Sequence, residues 1–428
     1  MSRYIVVKNG RIQAVSNTEI TSTYQVLCLP SVFEDIAPAM LMSNFKVQNG
    51  VLVRQQTLKP ISQLKIAFVG NWKMQCGIST YAENLWPHVA SSVHDWKIFA
   101  ERNEEKTGPV NVIGDKEVDS SHIVECWTRG EPLGELVKQL HDYQPDVVWI
   151  QHEYGLWPNA RYWLSLLSQL ANTRVIVTMH SVYYHMDKLV SEAAIPEIIV
   201  HLDGAKHVLE EVKCVPGLVH LMPHGCDPIG TRARLWNIYK SEHTFAQFGF
   251  GFRYKGWENS IKAVAELKKK YSDVFFTGLF SESAHNTIEH ETYHAELLQL
   301  VRDLKLEDNV AIIRGFQSDE SLDSYLRTNR AVVFPYVSHP DHEVFGVSGA
   351  ARYAMSKNVP VVTTSVNHFS DIPTIKADTP KAIADALDNL FSNKSVWNAQ
   401  VEKQTAYAIE NSWENVAKRF LQILETGK

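Results

Sequence analysis

Cysteine is scarce in this 428-residue chain, and the five present, Cys28, Cys76, Cys126, Cys214 and Cys226, have no metal-ligand spacing. An odd, scattered set argues against a disulfide framework and for a reducing compartment. Long apolar runs are also missing. No stretch approaches the roughly 20 residues of a membrane helix, and the opening Met-Ser-Arg-Tyr-Ile-Val-Val-Lys turns polar too soon for a signal peptide. A cytoplasmic location with no membrane span is expected. There is no basic excess: 42 Lys and Arg against 48 Asp and Glu give a net charge of −6. That speaks against a protein coated with nucleic acid, while leaving room for a local basic groove. What is present, 45% hydrophobic and 21% charged residues, is ordinary globular composition, and the length exceeds what one core usually holds.

Residues 1–62 differ from the rest. Tyr4–Val7 and Ile12–Val15 flank an Asn-Gly pair, and Phe45–Val53 repeats the pattern, so two β-hairpins in a small β-rich extension are expected. That extension is either an appendage packed on the body or an acceptor-binding or oligomerisation element. From Leu64 the pattern alternates strand and helix. Lys65–Gly70 leads into the loop Asn71–Gly77 and a helix from Ile78. Pro145–Gly155 and Arg174–His180 are strands that end on His152 and His180, and Pro223–Cys226 is a turn after another. A polar, irregular stretch, Asp227–His243, reads as a linker. A second series then runs from Thr244 through the helix at Trp257, and the chain closes in three helices. The organisation expected is α/β: a Rossmann-like domain over 63–230, a second over 244–410, a cleft between them, and a last helix over 411–428.

One stretch concentrates the chemistry. Between the apolar runs Ala331–Pro335 and Val359–Val362 lie Glu343-Val-Phe-Gly-Val-Ser-Gly349 and a helix running to Asn358. In open α/β sheets ligands sit beyond the carboxyl ends of the strands, where helix N-termini offer free N–H groups to anions. A carboxylate there suits sugar hydroxyls and an amide-rich turn suits a phosphate. His339, Asp341 and His342 beside Glu343 are a weak metal signal without a partner cluster. Taken singly, each strand-end histidine is more often a structural residue, and Trp157, Tyr162 and Trp163 are more often core. Several strand-end histidines together point to a cleft.

In their order and spacing, Cys76-Gly-Ile-Ser-Thr-Tyr81, Gln151–Gly155, Thr178-Met-His180, Pro223-His-Gly225, Tyr254-Lys-Gly256, Glu343–Gly346 and Val359–Val362 resemble the GT-B glycosyltransferases. The likeness is to the large retaining group with glycogen-synthase-like and mannosyltransferase-like members, and it runs from about residue 64 to the C-terminus. It implies a sugar moved from a nucleotide diphosphate sugar to an acceptor hydroxyl, with retention of configuration. The donor would lie on the C-terminal domain, and the last helix, around Trp413 and Glu414, would brace the N-terminal one. Carried over to this sequence, Lys255 pairs with the diphosphate, Glu343 binds donor-sugar hydroxyls and His180 lies near the reacting carbon. Gly77, Arg253, Phe345, Gly346, Val347, Ser348 and Gly349 complete the donor site, and His152, Glu153 and Tyr154 meet the acceptor. No Asp-x-Asp motif occurs on a suitable loop, so no metal and no cofactor beyond the donor are expected if Lys255 takes the cationic role.

The chain departs from that pattern in two places. The second glutamate, eight residues after the first, is Ala351, or Tyr353 if the end of the stretch is the anchor, and Phe250 replaces an arginine for which Arg253 is a nearby substitute. A non-catalytic relative that binds a sugar nucleotide therefore stands as an alternative, and so does a sugar-nucleotide epimerase, which shares the two-domain fold. The acceptor is a glycan or another hydroxyl compound, with nucleic acid a variant that the acidic charge counts against.

Overall fold

The computed structural model describes residues 59–426 except 103–119, 171–172, 187–196, 213–218, 228, 230–241, 283–286 and 339–342, together with five strands within 3–54. Those five, β1 (Arg3–Lys8), β2 (Arg11–Ser16), β3 (Gln25–Leu29), β4 (Phe45–Gln48) and β5 (Val51–Arg54), form an antiparallel sheet in the order β3-β1-β2-β4-β5. Both expected hairpins are there: β1 pairs with β2 and β4 with β5. Most of the linker read from the sequence, and the loop portion 339–342, lie outside the described residues.

The first α/β unit contains β6 (Lys65–Gly70), α1 (Gly77–Ala90), β7 (Asp95–Glu101), β8 (Ile123–Trp127), α2 (Gly134–Tyr143), β9 (Val147–His152), α3 (Ala160–Gln169), β10 (Arg174–Met179), β11 (Ser181–Tyr183), β12 (Glu197–Val200), α4 (Asp203–His207) and β13 (Val219–Leu221). Seven strands make a parallel sheet in the order β13-β12-β10-β9-β6-β7-β8. Every residue of β9, Val-Val-Trp-Ile-Gln-His, is buried. A parallel sheet covered on both faces needs such continuous runs. Strands β7 and β8 carry no signal in the sequence. Asp95 and Glu101 bracket the first, Glu125 interrupts the second, and only tertiary pairing makes them strands.

The second unit contains β14 (Thr244–Phe250), α5 (Trp257–Lys268), β15 (Phe275–Ser281), α6 (Thr287–Asp303), β16 (Val310–Arg314), α7 (Asp319–Thr328), β17 (Ala331–Phe334), β18 (Val344–Gly346), α8 (Gly349–Met355), β19 (Val361–Thr363), β20 (Ile375–Lys376), α9 (Pro380–Ser392), α10 (Lys394–Glu410) and α11 (Trp413–Thr426). Its parallel sheet has the order β16-β15-β14-β17-β19-β20. Both sheets therefore run outward from a central strand in two directions, the doubly wound order. Helix ends follow local chemistry. Ser318 caps α7 by accepting from the Ser321 N–H, and Asp319 and Glu320 occupy its first turn, where carboxylates suit the helix dipole. The helix expected to reach Asn358 stops at Met355, and Asn358 turns the chain with a positive φ of 56°.

Three connections hold the units together. Strands β11 and β18, one from each unit, form an antiparallel ladder, Ser181 opposite Gly346 and Tyr183 opposite Val344. Cys226 and Ser412 make a parallel bridge. Helix α11 then buries Trp413, Val416, Ala417, Phe420, Ile423 and Leu424 in the core of the first unit, where Phe420 stacks on Trp149 with ring centroids 3.8 Å apart. Arg174 fixes the end of this helix, donating to the carbonyls of Leu424 at 2.7 Å and Ile423 at 3.0 Å.

Candidate active site at the domain junction

A cavity of about 360 Å³ lies between the two units. In each sheet the strand order reverses at the first strand, β6 or β14, and the loops leaving those strands diverge there. The β6 loop brings Cys76 and Gly77 to the cavity, and the β14 loop brings Tyr254 and Lys255. Gly256, just after Lys255, has φ +65° and lies so close to the Pro335 carbonyl that a Cβ would collide with it. The turn that presents Lys255 therefore requires glycine.

The wall from the second unit is built of donors. The Lys255 ammonium lies 4.0 Å from the Tyr336 ring centroid and donates to Tyr336 Oη. An ammonium has no acceptor lone pair, so the phenol accepts there and can pass its own proton to Ser348 Oγ, 3.1 Å away. Ser348 Oγ also accepts from the Ala351 N–H at 3.3 Å. Either hydroxyl can donate in the Tyr336–Ser348 pair; when Tyr336 does, the Ser348 O–H is free to donate into the cavity it lines. Behind it, Arg352, 1% exposed, donates to the Ser348 carbonyl at 3.1 Å and makes a two-pronged pair with Asp371. Lys255 is the single Lys or Arg among the described cavity residues.

The wall from the first unit is built of acceptors and rings. His224, Gly225 and Asp227 line it, with Tyr81 and Trp413. Asp227 Oδ1 accepts from Trp413 Nε1 at 2.8 Å, and burial raises its carboxyl above the usual range. Tyr81 packs against three imidazoles, His180 at 4.8 Å, His224 at 5.2 Å and His201 at 5.4 Å between centroids. Burial, and then the other imidazoles, hold His180 well below its ordinary value, and burial takes His201 down to about 4. These rings are neutral at neutral pH.

The residues singled out in the sequence fall into two groups. Gly77, Lys255, Val347, Ser348 and Gly349 line the cavity. His152, Glu153, Tyr154, His180, Glu343, Phe345 and Gly346 gather instead around the β11–β18 ladder. His180 immediately precedes β11, and its Nε2 lies 2.8 Å from Gln151 Oε1. Glu343 immediately precedes β18, with its carbonyl accepting from the Tyr184 N–H and its carboxylate from Asn367 at 3.1 Å. Gly346 packs on Ser181, and Tyr154 meets Tyr183 edge-on at 5.1 Å. Burial raises the Glu153 carboxyl. His152, 2% exposed, packs between Tyr154 and Trp163 and is pushed down to about 3 by burial. Arg253 belongs to neither group: it faces solvent and pairs with Glu296 on α6 at 2.7 Å.

Position 351 is a fully buried alanine, whereas Tyr353 lines the cavity and its Oη donates to the Asp319 carbonyl at 3.3 Å. Asp319 lines the cavity too, its carboxyl raised by burial and then by Asp227. Sequence reasoning missed Asp319 and gave His224 and Asp227 no individual role. An acidic residue in a first helical turn is usually there for the helix, so Asp319 carried no distinguishing signal.

Comparison with known proteins agrees with this architecture. Residues 233–412 match the family described as Glycosyl transferases group 1. No curated protein matches the chain. Among solved structures, Anabaena Alr3699/HepE in complex with UDP and glucose is 14% identical at a TM-score of 0.61, over 85% of this chain and 100% of that one. Trehalose-6-phosphate synthase OtsA is 11% identical at 0.66, over 85% and 99%. An α,α-trehalose-phosphate synthase (UDP-forming) from Burkholderia xenovorans in complex with glucose-6-phosphate is 10% identical at 0.64, over 84% and 99%. The chain thus has the GT-B fold, two Rossmann-like halves about a cleft, and its C-terminal half is similar over residues 233–412 to the family Glycosyl transferases group 1.

Proposed function

We propose that this protein is a retaining glycosyltransferase that moves a sugar from a nucleoside diphosphate sugar to an acceptor hydroxyl without a metal ion. The observation that carries the reading is the pair Lys255 and Ser348 lining a cavity between the two halves and joined behind it by the Tyr336 hydroxyl. As the glycosidic bond breaks, the leaving diphosphate gains charge and the sugar becomes oxocarbenium-like. A fixed ammonium and a preset hydroxyl donor lower that barrier because they need no reorganisation. Lys255 and Ser348 hold the diphosphate in this reading, with Gly77, Val347 and Gly349 closing around it. Phe316, Gln317 and Leu322, which also line the cavity, receive the base.

Retention rests on the likeness of Thr178–His180 and Glu343–Gly346 to the retaining group. Glu343 and His180 act from the ladder side of the cleft, Glu343 toward the donor sugar and His180 near the transferred carbon. His152, Glu153 and Tyr154 lie beside them on the acceptor side. Metal independence rests on Lys255 as a resident cation. Because HepE and the Burkholderia synthase were solved with UDP and glucose or with glucose-6-phosphate, UDP-glucose is the first donor to try, with sugars and sugar phosphates as acceptors.

The test is a panel of UDP-, GDP- and ADP-sugars, scored by thermal shift and then by nucleoside diphosphate release in the presence of EDTA, with the anomer of the product read by NMR. Release that needs added divalent metal overturns the metal-free part, and an inverted product overturns retention. Binding without release with every acceptor tried would favour a non-catalytic relative, and conversion with no acceptor would favour an epimerase.

A further inference from the structure

The two walls of the cavity differ in hydrogen-bonding sense, and His224 makes the difference specific. Its Nδ1 lies 2.8 Å from the carbonyl oxygen of Gly225, and a carbonyl only accepts, so Nδ1 carries the hydrogen. Nε2 is then a bare lone pair. The side chain is 7% exposed, enclosed by Tyr81, His201 and Trp413, and no described residue donates to that nitrogen. It nevertheless lines the cavity, where it faces Gly349: a Cβ built there would sit 3.7 Å from Nε2. Three residues on, Asp227 spends one oxygen on Trp413 and presents its carboxylate to the same space.

Acceptors that open only onto a cavity take their donors from what fills it, and a ligand that displaces the water there must supply them. The ionised diphosphate of a sugar nucleotide cannot, because its oxygens only accept. A sugar hydroxyl can, since it gives a hydrogen to Nε2 while the anionic part of the ligand stays with Lys255 and Ser348 across the cavity. Burial, then Arg352 and His201, hold the imidazole well below its ordinary value. It is therefore a hydrogen-bond acceptor rather than a base that takes the proton. We propose that His224 is a specificity-determining residue that accepts a hydrogen bond from one hydroxyl of the donor sugar, opposite Gly349. This rests on the nucleotide-sugar reading above.

The experiment compares UDP-glucose with its analogues that carry fluorine in place of a single hydroxyl, since fluorine cannot donate. Affinities are measured by calorimetry for the wild-type chain and for His224→Phe, with UDP alone as a control. In the wild type one ring position should lose about tenfold on fluorination, the scale of one hydrogen bond. His224→Phe should bind UDP unchanged, bind UDP-glucose about tenfold more weakly, and lose its sensitivity at that position alone. The same fluorine profile in both proteins overturns the proposal, as does a wild-type profile with no sensitive position. If Phe at 224 prevents folding, His224→Met takes its place in the comparison. A wild-type chain that binds none of UDP, GDP, ADP or their glucose forms overturns the nucleotide-sugar reading and this inference with it. Nucleotide binding with an unchanged fluorine profile overturns the role of His224 alone.

Discussion

Val182 and Phe345 stand opposite each other in a ladder whose two strands come from opposite halves of the molecule. The pairing ties the segment after His180 to the segment after Glu343 through backbone hydrogen bonds. Phe345 also reaches across to the first half, where its ring covers Gly204 and packs against the core. The Glu343-Val-Phe-Gly segment therefore holds the halves together on one side of the cleft, while the next three residues, Val347–Gly349, face the cavity.

That contact makes Gly204 a sensitive position. A Cβ there would lie 2.5 Å from Phe345 Cε1 and 2.7 Å from Cδ1, so Gly204→Ala must displace the ring. The expected cost is about 1–3 kcal/mol, as for other overpacked sites. Phe345→Leu removes the ring edge, so the double variant should be more stable than the sum of the two changes implies. Urea unfolding of the four proteins gives the coupling, and strict additivity would show that ring and glycine do not press on each other.

Lys255 should matter more to ligand than to fold. Lys255→Met keeps a long apolar stem over the Tyr336 ring but removes the ammonium. Thermal stability should change little, nucleotide diphosphate affinity should fall, and the transfer rate should drop by about 10²–10³, the range seen when one preset electrostatic contact to a transition state is lost. Tyr336→Phe keeps the cation and the ring face while breaking the relay to Ser348, so its effect should be smaller. A Tyr336→Phe defect equal to that of Lys255→Met would mean that the relay, not the charge, is what the site needs.

Much of this arrangement is written locally. Ser318 ahead of an acidic first turn marks α7, the apolar run Val147–Ile150 marks a covered strand, and Asn-Gly pairs mark the hairpins. Gly77 and Lys255 follow the first strands of the two parallel sheets, and Val347–Gly349 lie on the connection between the parallel strands β17 and β19, so all three lie beyond strand carboxyl ends. What is not local is not legible. The two three-residue strands of the β11–β18 ladder have no periodicity to betray them, and only the docking of the two halves pairs them. His224 likewise resembles any turn histidine until Tyr81, His201 and Trp413 close around it.

The buried imidazoles make stability pH-dependent. His152 is pushed down to about 3, His201 and His368 to about 4, and His180 and His224 well below the ordinary value, in each case by burial first. The unfolded chain binds protons at these sites near pH 6.5, whereas the folded chain does not. Their neutral form supports the fold fully above pH 6.5, and that support is lost as pH falls toward 4 and 3. Unfolding free energy should thus decline steeply below about pH 6, the unperturbed histidine range. His152→Leu removes one such group and should flatten the slope by at most about 1.4 kcal/mol per pH unit between roughly pH 4 and 6. An unchanged slope would mean that His152 is already protonated in the fold.

Asp319 should show the opposite sign and a trade of stability for binding. Its carboxyl is raised by burial and by Asp227, so the folded state prefers it protonated. A raised acid supports the fold at low pH and loses that support as pH rises through the folded value, which makes the charged form a burden at neutral pH. Asp319→Asn keeps the shape and removes the charge. The unliganded variant should melt at a higher temperature than wild type at pH 7 and no higher at pH 3, where both side chains are neutral. If the carboxylate receives hydroxyls of a nucleotide sugar from the cavity it lines with Tyr353, the same variant should bind that ligand more weakly. Stabilisation at pH 7 with unchanged affinity would remove Asp319 from the binding site, and destabilisation at pH 7 would assign it to the start of α7, while stabilisation with weaker binding is what a site residue retained at the expense of the fold gives.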